Sequence, residues 1–132
     1  MVGGTVVGVG TDVIEVARIQ RALQRPGFMA RVYSKSEIQY CLGKSEELSK
    51  LSIQRFAARF TAKEAVMKAM GVGLGATKFV EIETASTDSG APAIVLSGSA
   101  KDLAGKLGIG RWLVSLSHSD SVAQAFVAAV ES

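Results

Sequence analysis

Three separated stretches hold residues whose chemistry is complementary. Asp12 ends the apolar run GVGTD. Arg59, Lys63, Glu64 and Lys68 lie together in RFTAKEAVMK. His118 and Ser119 follow the run VSLS. Two carboxylates are too few to cage a metal ion alone. They suit Mg²⁺, a hard ion that keeps waters and takes its other ligands from substrate phosphates. The surplus of cations beside Glu64 would hold those phosphates. A lone histidine ending a strand is more often a structural hydrogen-bonder, but beside such a site it could bind a ligand or relay a proton.

The element that must present the middle group is Leu51 to Gly71. It is rich in Ala, Met, Lys, Glu and Arg, has no proline, and ends at a glycine suited to a C-cap. At 3.6 residues per turn, Phe56, Phe60, Met67 and Met70 share one face, and Ala58, Ala62, Ala65 and Ala69 roughly the opposite one. Two apolar faces predict a helix covered on most sides. Arg59 and Lys63, one turn apart, repel along the Phe/Met side. Glu64 and Lys68 make a favourable pair on a neighbouring stripe. Such unbalanced charge in an apolar setting calls for an anion, with a metal at Glu64 as a further option. The bland alternative is an ordinary Glu64–Lys68 pair with the other cations snorkelling to water.

The 132 residues suit one domain, 1–132, with a real core. At 48% hydrophobic and 20% charged, the composition excludes disorder. The net charge of +3 is uneven. Residues 1–60 carry nine Lys/Arg against five Asp/Glu, and residues 61–132 six against seven. An acidic partner is expected at the N-terminal half. Few aromatics and no Lys/Arg run argue against nucleic acid. Cys41 is the only cysteine, which excludes an internal disulfide and a Cys-rich zinc site and fits a reducing, cytoplasmic setting. The N-terminus lacks a basic n-region, Asp12 interrupts its apolar run, and no run is long enough to span a membrane.

In chain order, Val6 to Val13 reads as a buried strand, with Val6, Gly8, Gly10 and Asp12 on one face. Its glycines leave room for another backbone or a ligand beside Asp12. GVG lacks the third glycine of a dinucleotide fingerprint. Asp12 as a plain N-cap of the next helix stands as the alternative to a functional role. Glu15 to about Arg25 reads as a helix with Val16, Ile19 and Leu23 inward. Arg18, Arg21 and Arg25 share the opposite stripe, which is either a solvated face or an anion-binding surface. Pro26-Gly27 ends it. Ser34 and Glu37 form a capping box for a helix through Leu42. Strands are expected at Val80 to Ala85, Ala93 to Leu96, Trp112 to Ser117 and Ala123 to Val130, with a helix from Ser99 to Leu107.

GVGTDVIEVARI at 8–19, RFTAKEAVMKAMGVG at 59–73 and VSLSHS at 114–119 together resemble the holo-[acyl-carrier-protein] synthases, the small bacterial type of 4′-phosphopantetheinyl transferase. The resemblance covers nearly the whole chain in the same order. It implies an α+β fold with a long central helix on a mainly antiparallel sheet, and a homotrimer with sites at subunit interfaces. It implies transfer of the 4′-phosphopantetheine arm of coenzyme A to a serine of apo acyl carrier protein in fatty acid biosynthesis, releasing adenosine 3′,5′-bisphosphate. Asp12 and Glu64 would bind Mg²⁺. Arg59, Lys63, Lys68 and His118 match coenzyme A or catalytic positions, with Ser119 in the same motif. Asp12, Glu64, Lys68 and His118 form the expected catalytic set, and the base is either Glu64 or a metal-bound water. Arg18, Arg21 and Arg25 match the carrier-protein docking element. The alternative from a different class is a non-catalytic basic module that binds acidic carrier proteins or nucleotides.

Overall fold

A computed structural model describes residues 4–132. In order it has β1 (Val6–Glu15), α1 (Val16–Leu23), α2 (Phe28–Val32), α3 (Lys35–Leu42), α4 (Lys50–Ala69), a 3₁₀ turn (Phe79–Glu81), β2 (Ile82–Ser86), β3 (Pro92–Leu96), α5 (Gly98–Lys106), β4 (Ile109–His118) and β5 (Val122–Glu131). The fold is α+β. β1, β5 and β4 form an antiparallel sheet in that order, and β2 and β3 form a separate hairpin.

Everything that positions the site is attached to α4. Ser49 and Ser52 cap its start reciprocally. Gly71, at φ 72, closes its end: its N–H donates to Lys68 O and that of Val72 to Met67 O, a Schellman motif that needs a left-handed residue. The predicted double apolar face is present, because Phe56, Ala57, Ala58, Phe60, Ala62, Ala65, Val66 and Met67 are all buried. One cluster joins Phe56, Ala57 and Phe60 to Ile19, Tyr33 and Cys41. A second joins Ala62, Ala65 and Met67 to Ile82, Ala100 and the inward side of β5. α4 is thus covered within one chain, so its two faces do not call for a partner subunit.

β1 lies against the C-terminal half of α4, in the space its glycines leave. A Cβ on Gly10 would fall inside the envelope of the Ala65 carbonyl oxygen and 2.9 Å from Ala69 N. One on Gly8 would meet the Ala69 carbonyl. It is the helix backbone, not a ligand, that fills the space they leave. Gly10→Ala is therefore expected to lower stability by about 1–3 kcal/mol or more by prising strand from helix, measured as a shift in urea midpoint.

Three expectations are corrected. β1 is not buried on both sides: Val7, Val9 and Val13 are exposed, as are Leu113 and Phe126 on the neighbouring strands. Only the side carrying Gly8, Gly10, Asp12 and Ile14 packs on α4, and the outer sheet face is apolar and uncovered. Asp12 caps no helix: α1 begins after Glu15, with no side-chain cap. The segment after Pro26-Gly27 forms a short helix, α2, that the sequence reading did not anticipate.

Candidate active site

The strand places Asp12 opposite α4, and three α4 side chains meet it. Thr61 Oγ1 donates to Asp12 Oδ2 at 2.6 Å. Lys68 Nζ donates to Asp12 Oδ1 at 2.9 Å and to Thr11 O at 3.1 Å. Glu64 is buried beside them, and its carboxyl is pushed up to about 7, first by burial and next by the charge of Asp12, against the opposing charges of Arg18 and Lys68. Thr61, Glu64 and Lys68, at i, i+3 and i+7, share one stripe of the helix. The arrangement is a pair of carboxylates that cannot both be charged cheaply without a cation, rimmed by an ammonium that is half exposed (49%) and so reachable by a ligand.

Arg59 and Lys63 are elsewhere. At about 100° per residue they lie on the far side of α4 from Glu64, not on a neighbouring stripe. Lys63 is fully enclosed. Its ammonium donates to Glu37 Oε1 at 2.7 Å, to Phe79 O at 3.0 Å and to Ile82 O. An ammonium has three protons, and these contacts take all three. The charge expected to demand an anion is met from within the chain, by a residue that reads in sequence only as a helix cap. Glu37 keeps that capping role as well, and its Oε2 accepts from Thr84 N at 3.1 Å. Arg59 is different. Its guanidinium stacks 3.8 Å above the Tyr40 ring, and its Nε is buried without a partner. It faces a cleft of about 250 Å³ lined by Ser36, Tyr40, Thr84, Ala85 and Ser86.

His118 ends β4 on the side facing α4. Its Nδ1 lies 3.0 Å from Gln54 Oε1. Gln54 Nε2 in turn donates to Asp120 Oδ1 at 3.2 Å, and Asp120 pairs with Lys50 at 3.1 Å. With the Gln54 amide so oriented, His118 donates from Nδ1 and keeps the Nε2 lone pair for a ligand or proton. Gln54 and Glu64 are ten positions apart on α4, about 15 Å along the axis. β5 also separates His118 from Asp12 in the sheet. One subunit therefore does not bring His118 to the carboxylate pair. Ser119 ties the β4–β5 turn, its Oγ accepting from Val122 N at 3.3 Å.

Arg18 and Arg21 are exposed on α1, while Val16, Ile19, Ala22 and Leu23 are buried; α1 ends at Leu23, earlier than expected, so the exposed Arg25 lies just past its C-cap. Arg25 leans over Phe28 at 5.8 Å. Thr61, Gln54, Glu37 and Tyr40 are the site neighbours that sequence reasoning missed. A threonine at i−3 from Glu64 on a helix otherwise lined with alanine was the available signal for the first. Among the described residues, no group of three or more His, Cys, Asp or Glu is placed to hold a metal, so any ion here would rest on two carboxylates.

The model of the 4′-phosphopantetheinyl transferase superfamily matches residues 8–128. The chain belongs to that family. It is 44% identical to the holo-[acyl-carrier-protein] synthase of Moorella thermoacetica over 93% of this chain and 92% of that protein. The crystal structure of holo-ACP-synthase from Plasmodium yoelii superposes with a TM-score of 0.85 at 32% identity, covering 99% of both chains. That of the Bacillus anthracis holo-(acyl-carrier-protein) synthase in complex with CoA (3′,5′-ADP) gives 0.78 at 32% identity over 96% and 98%. The chain is an enzyme of the holo-[acyl-carrier-protein] synthase type. Among the described residues, no helix is long and apolar enough to cross a membrane.

Proposed function

We propose that this chain, as a single transferase domain over residues 1–132, moves the 4′-phosphopantetheine arm of coenzyme A onto a serine hydroxyl of apo acyl carrier protein. The observation that carries the reading is the Asp12–Glu64 carboxylate pair with Lys68 at its open side, in a chain of this family. The donor set suits Mg²⁺: two hard oxygen ligands, one of which gains its charge cheaply only beside a cation. When bound, the ion would neutralise charge on the pyrophosphate. The serine oxygen forms its bond to the phosphorus that carries the pantetheine arm. The bond from that phosphorus to the bridging oxygen breaks, and adenosine 3′,5′-bisphosphate leaves. Glu64, the buried carboxylate of the pair, is the chain's own group placed to accept the serine proton. Lys68 holds phosphate oxygens. Arg59, with its unpartnered Nε at a small cleft, holds the distal part of coenzyme A. His118, with Nε2 free, acts alongside Ser119 on the same ligand. Lys63 serves the fold instead. The setting is cytoplasmic fatty acid synthesis. The test is chromatographic: release of adenosine 3′,5′-bisphosphate should require apo carrier protein and stop reversibly with chelator. Release without carrier protein, or in full chelation, contradicts the reading.

The assembly we propose is a homotrimer built on the outer sheet face. Val7, Val9, Val13, Leu113 and Phe126 form there the kind of exposed apolar patch that marks an interface. A neighbour that brings its His118 to the carboxylate pair has to reach around the edge strand β1, because Asp12 lies on the α4 side of the sheet. Phe126→Asp should convert trimer to monomer in light scattering and abolish turnover together. A wild-type monomer with full activity refutes both parts.

The Arg18, Arg21 and Arg25 stripe is the proposed docking face for the acidic carrier protein. Arg21→Glu should raise the KM for carrier protein about tenfold or more, with little change in kcat, and the effect should shrink at high salt; Arg18→Glu should raise it as well and also lower kcat, because its charge acts on Glu64. Steady-state kinetics with each substrate varied separately checks this. An effect confined to coenzyme A moves the docking face elsewhere.

A further inference from the structure

Thr61 is fully buried, in the part of α4 that supplies Ala57, Ala58, Ala62 and Ala65 to the core. A hydroxyl there costs free energy unless it is hydrogen-bonded. Helical threonines often satisfy themselves on the carbonyl one turn back. This one spends its single proton on Asp12 Oδ2 at 2.6 Å. We infer that Thr61 is a positioning residue for the divalent-cation site, fixing the plane of the Asp12 carboxylate so that its oxygens are presented in one orientation. The inference rests on the metal assignment proposed above.

Rotation about the last bond of an aspartate is soft, so a strand alone does not fix where its two oxygens point. Thr61 bonds one oxygen of Asp12 and Lys68 the other, and Glu64 lies against the same carboxylate. The Lys68 contact comes from a long, half-exposed side chain. The Thr61 contact comes from a short, β-branched side chain with few rotamers, held inside the packed helix. Thr61 thus supplies the rigid half of the clamp. It also lies one turn before Glu64, so the group that orients one proposed ligand and the group that provides the other move as one body. Partners that orient ligating groups in this way influence metal affinity through the ligand they hold.

The experiment uses the full chain as purified, with coenzyme A and no carrier protein, and follows free Mn²⁺ by electron paramagnetic resonance against a blank of coenzyme A alone. Thr61→Val keeps the shape and removes the hydroxyl, and Thr61→Ala repeats the deletion should valine not fold. Thr61→Ser restores the hydroxyl. Loss of the hydroxyl is expected to weaken Mn²⁺ binding about 10- to 100-fold, while serine recovers most of it. In chelator, the thermal midpoint of Thr61→Val should stay near that of the wild type. Unchanged Mn²⁺ affinity without the hydroxyl overturns the inference, and so does an equal loss in Thr61→Ser. A loss that tracks a drop in thermal midpoint assigns Thr61 a structural role only. No Mn²⁺ uptake by the wild type overturns the metal assignment itself, which separates that failure from this one.

Discussion

Asp12→Asn and Glu64→Gln are each expected to lower turnover by about 10²- to 10³-fold, comparable with removing a principal electrostatic stabiliser from a polar transition state. The two variants should differ in stability. Asp12 accepts from Thr61 and Lys68, so asparagine loses the charge that strengthens both contacts. Glu64 is buried next to a like charge, and glutamine relieves that repulsion. Glu64→Gln should therefore fold at least as stably as the wild type while being nearly inactive. Thermal unfolding by circular dichroism, beside steady-state turnover, reads both. A Glu64→Gln enzyme with near wild-type turnover at ordinary Mg²⁺ would remove the carboxylate pair from the mechanism. A large fall in its thermal midpoint would show that Glu64 holds the fold rather than the reaction.

The second large effect lies on the opposite side of α4. Lys63→Met leaves Glu37 charged in the core with only backbone donors, Ser34 N at 3.0 Å and Thr84 N at 3.1 Å. Glu37→Met leaves the Lys63 ammonium with only carbonyl partners. Burial already draws the Lys63 pKa down, and Glu37 is the main influence that holds it up. Breaking a buried pair from one side costs about 3–5 kcal/mol, whereas replacing both members with apolar groups is often neutral. Each single variant is expected to fall by that amount, and the double variant by far less than the sum. Urea unfolding of the four proteins gives the coupling energy directly. Additive losses would mean that the pair does not act as a unit. This pair also explains why Lys63 should matter to activity only through stability: a double variant that folds should retain turnover.

Much of the fold was legible because local signals agreed. α4 carries strong helix formers, a C-terminal glycine and two apolar faces. The spacing of Ser34 and Glu37 marks α3, and the strand expected from Trp112 to Ser117 is the core of β4, which ends at His118. The glycines of β1 predicted close approach, and α4 supplies it. What failed depended on contacts distant in sequence. Glu37 and Lys63 are 26 residues apart, and nothing local marks them as partners, so Lys63 looked like a free cation. The same blindness hid the bare outer face of the sheet, since a run of valines reads as buried whether or not the chain covers it. α2 was missed because five residues after Pro-Gly carry too little periodicity to register. In the site itself, Asp12, Glu64 and Lys68 stand out in the sequence by residue type, and the structure brings them together. Thr61 was passed over because a threonine carries no charge.

The most direct test is the mass of the carrier protein. Apo acyl carrier protein incubated with this chain, coenzyme A and Mg²⁺ should gain the mass of one phosphopantetheine group, located by fragmentation on a single serine. The gain should vanish with chelator or with Glu64→Gln. A carrier protein of unchanged mass, with coenzyme A intact and the chain folded, would contradict the transferase account and leave the carboxylate pair as a binding site alone.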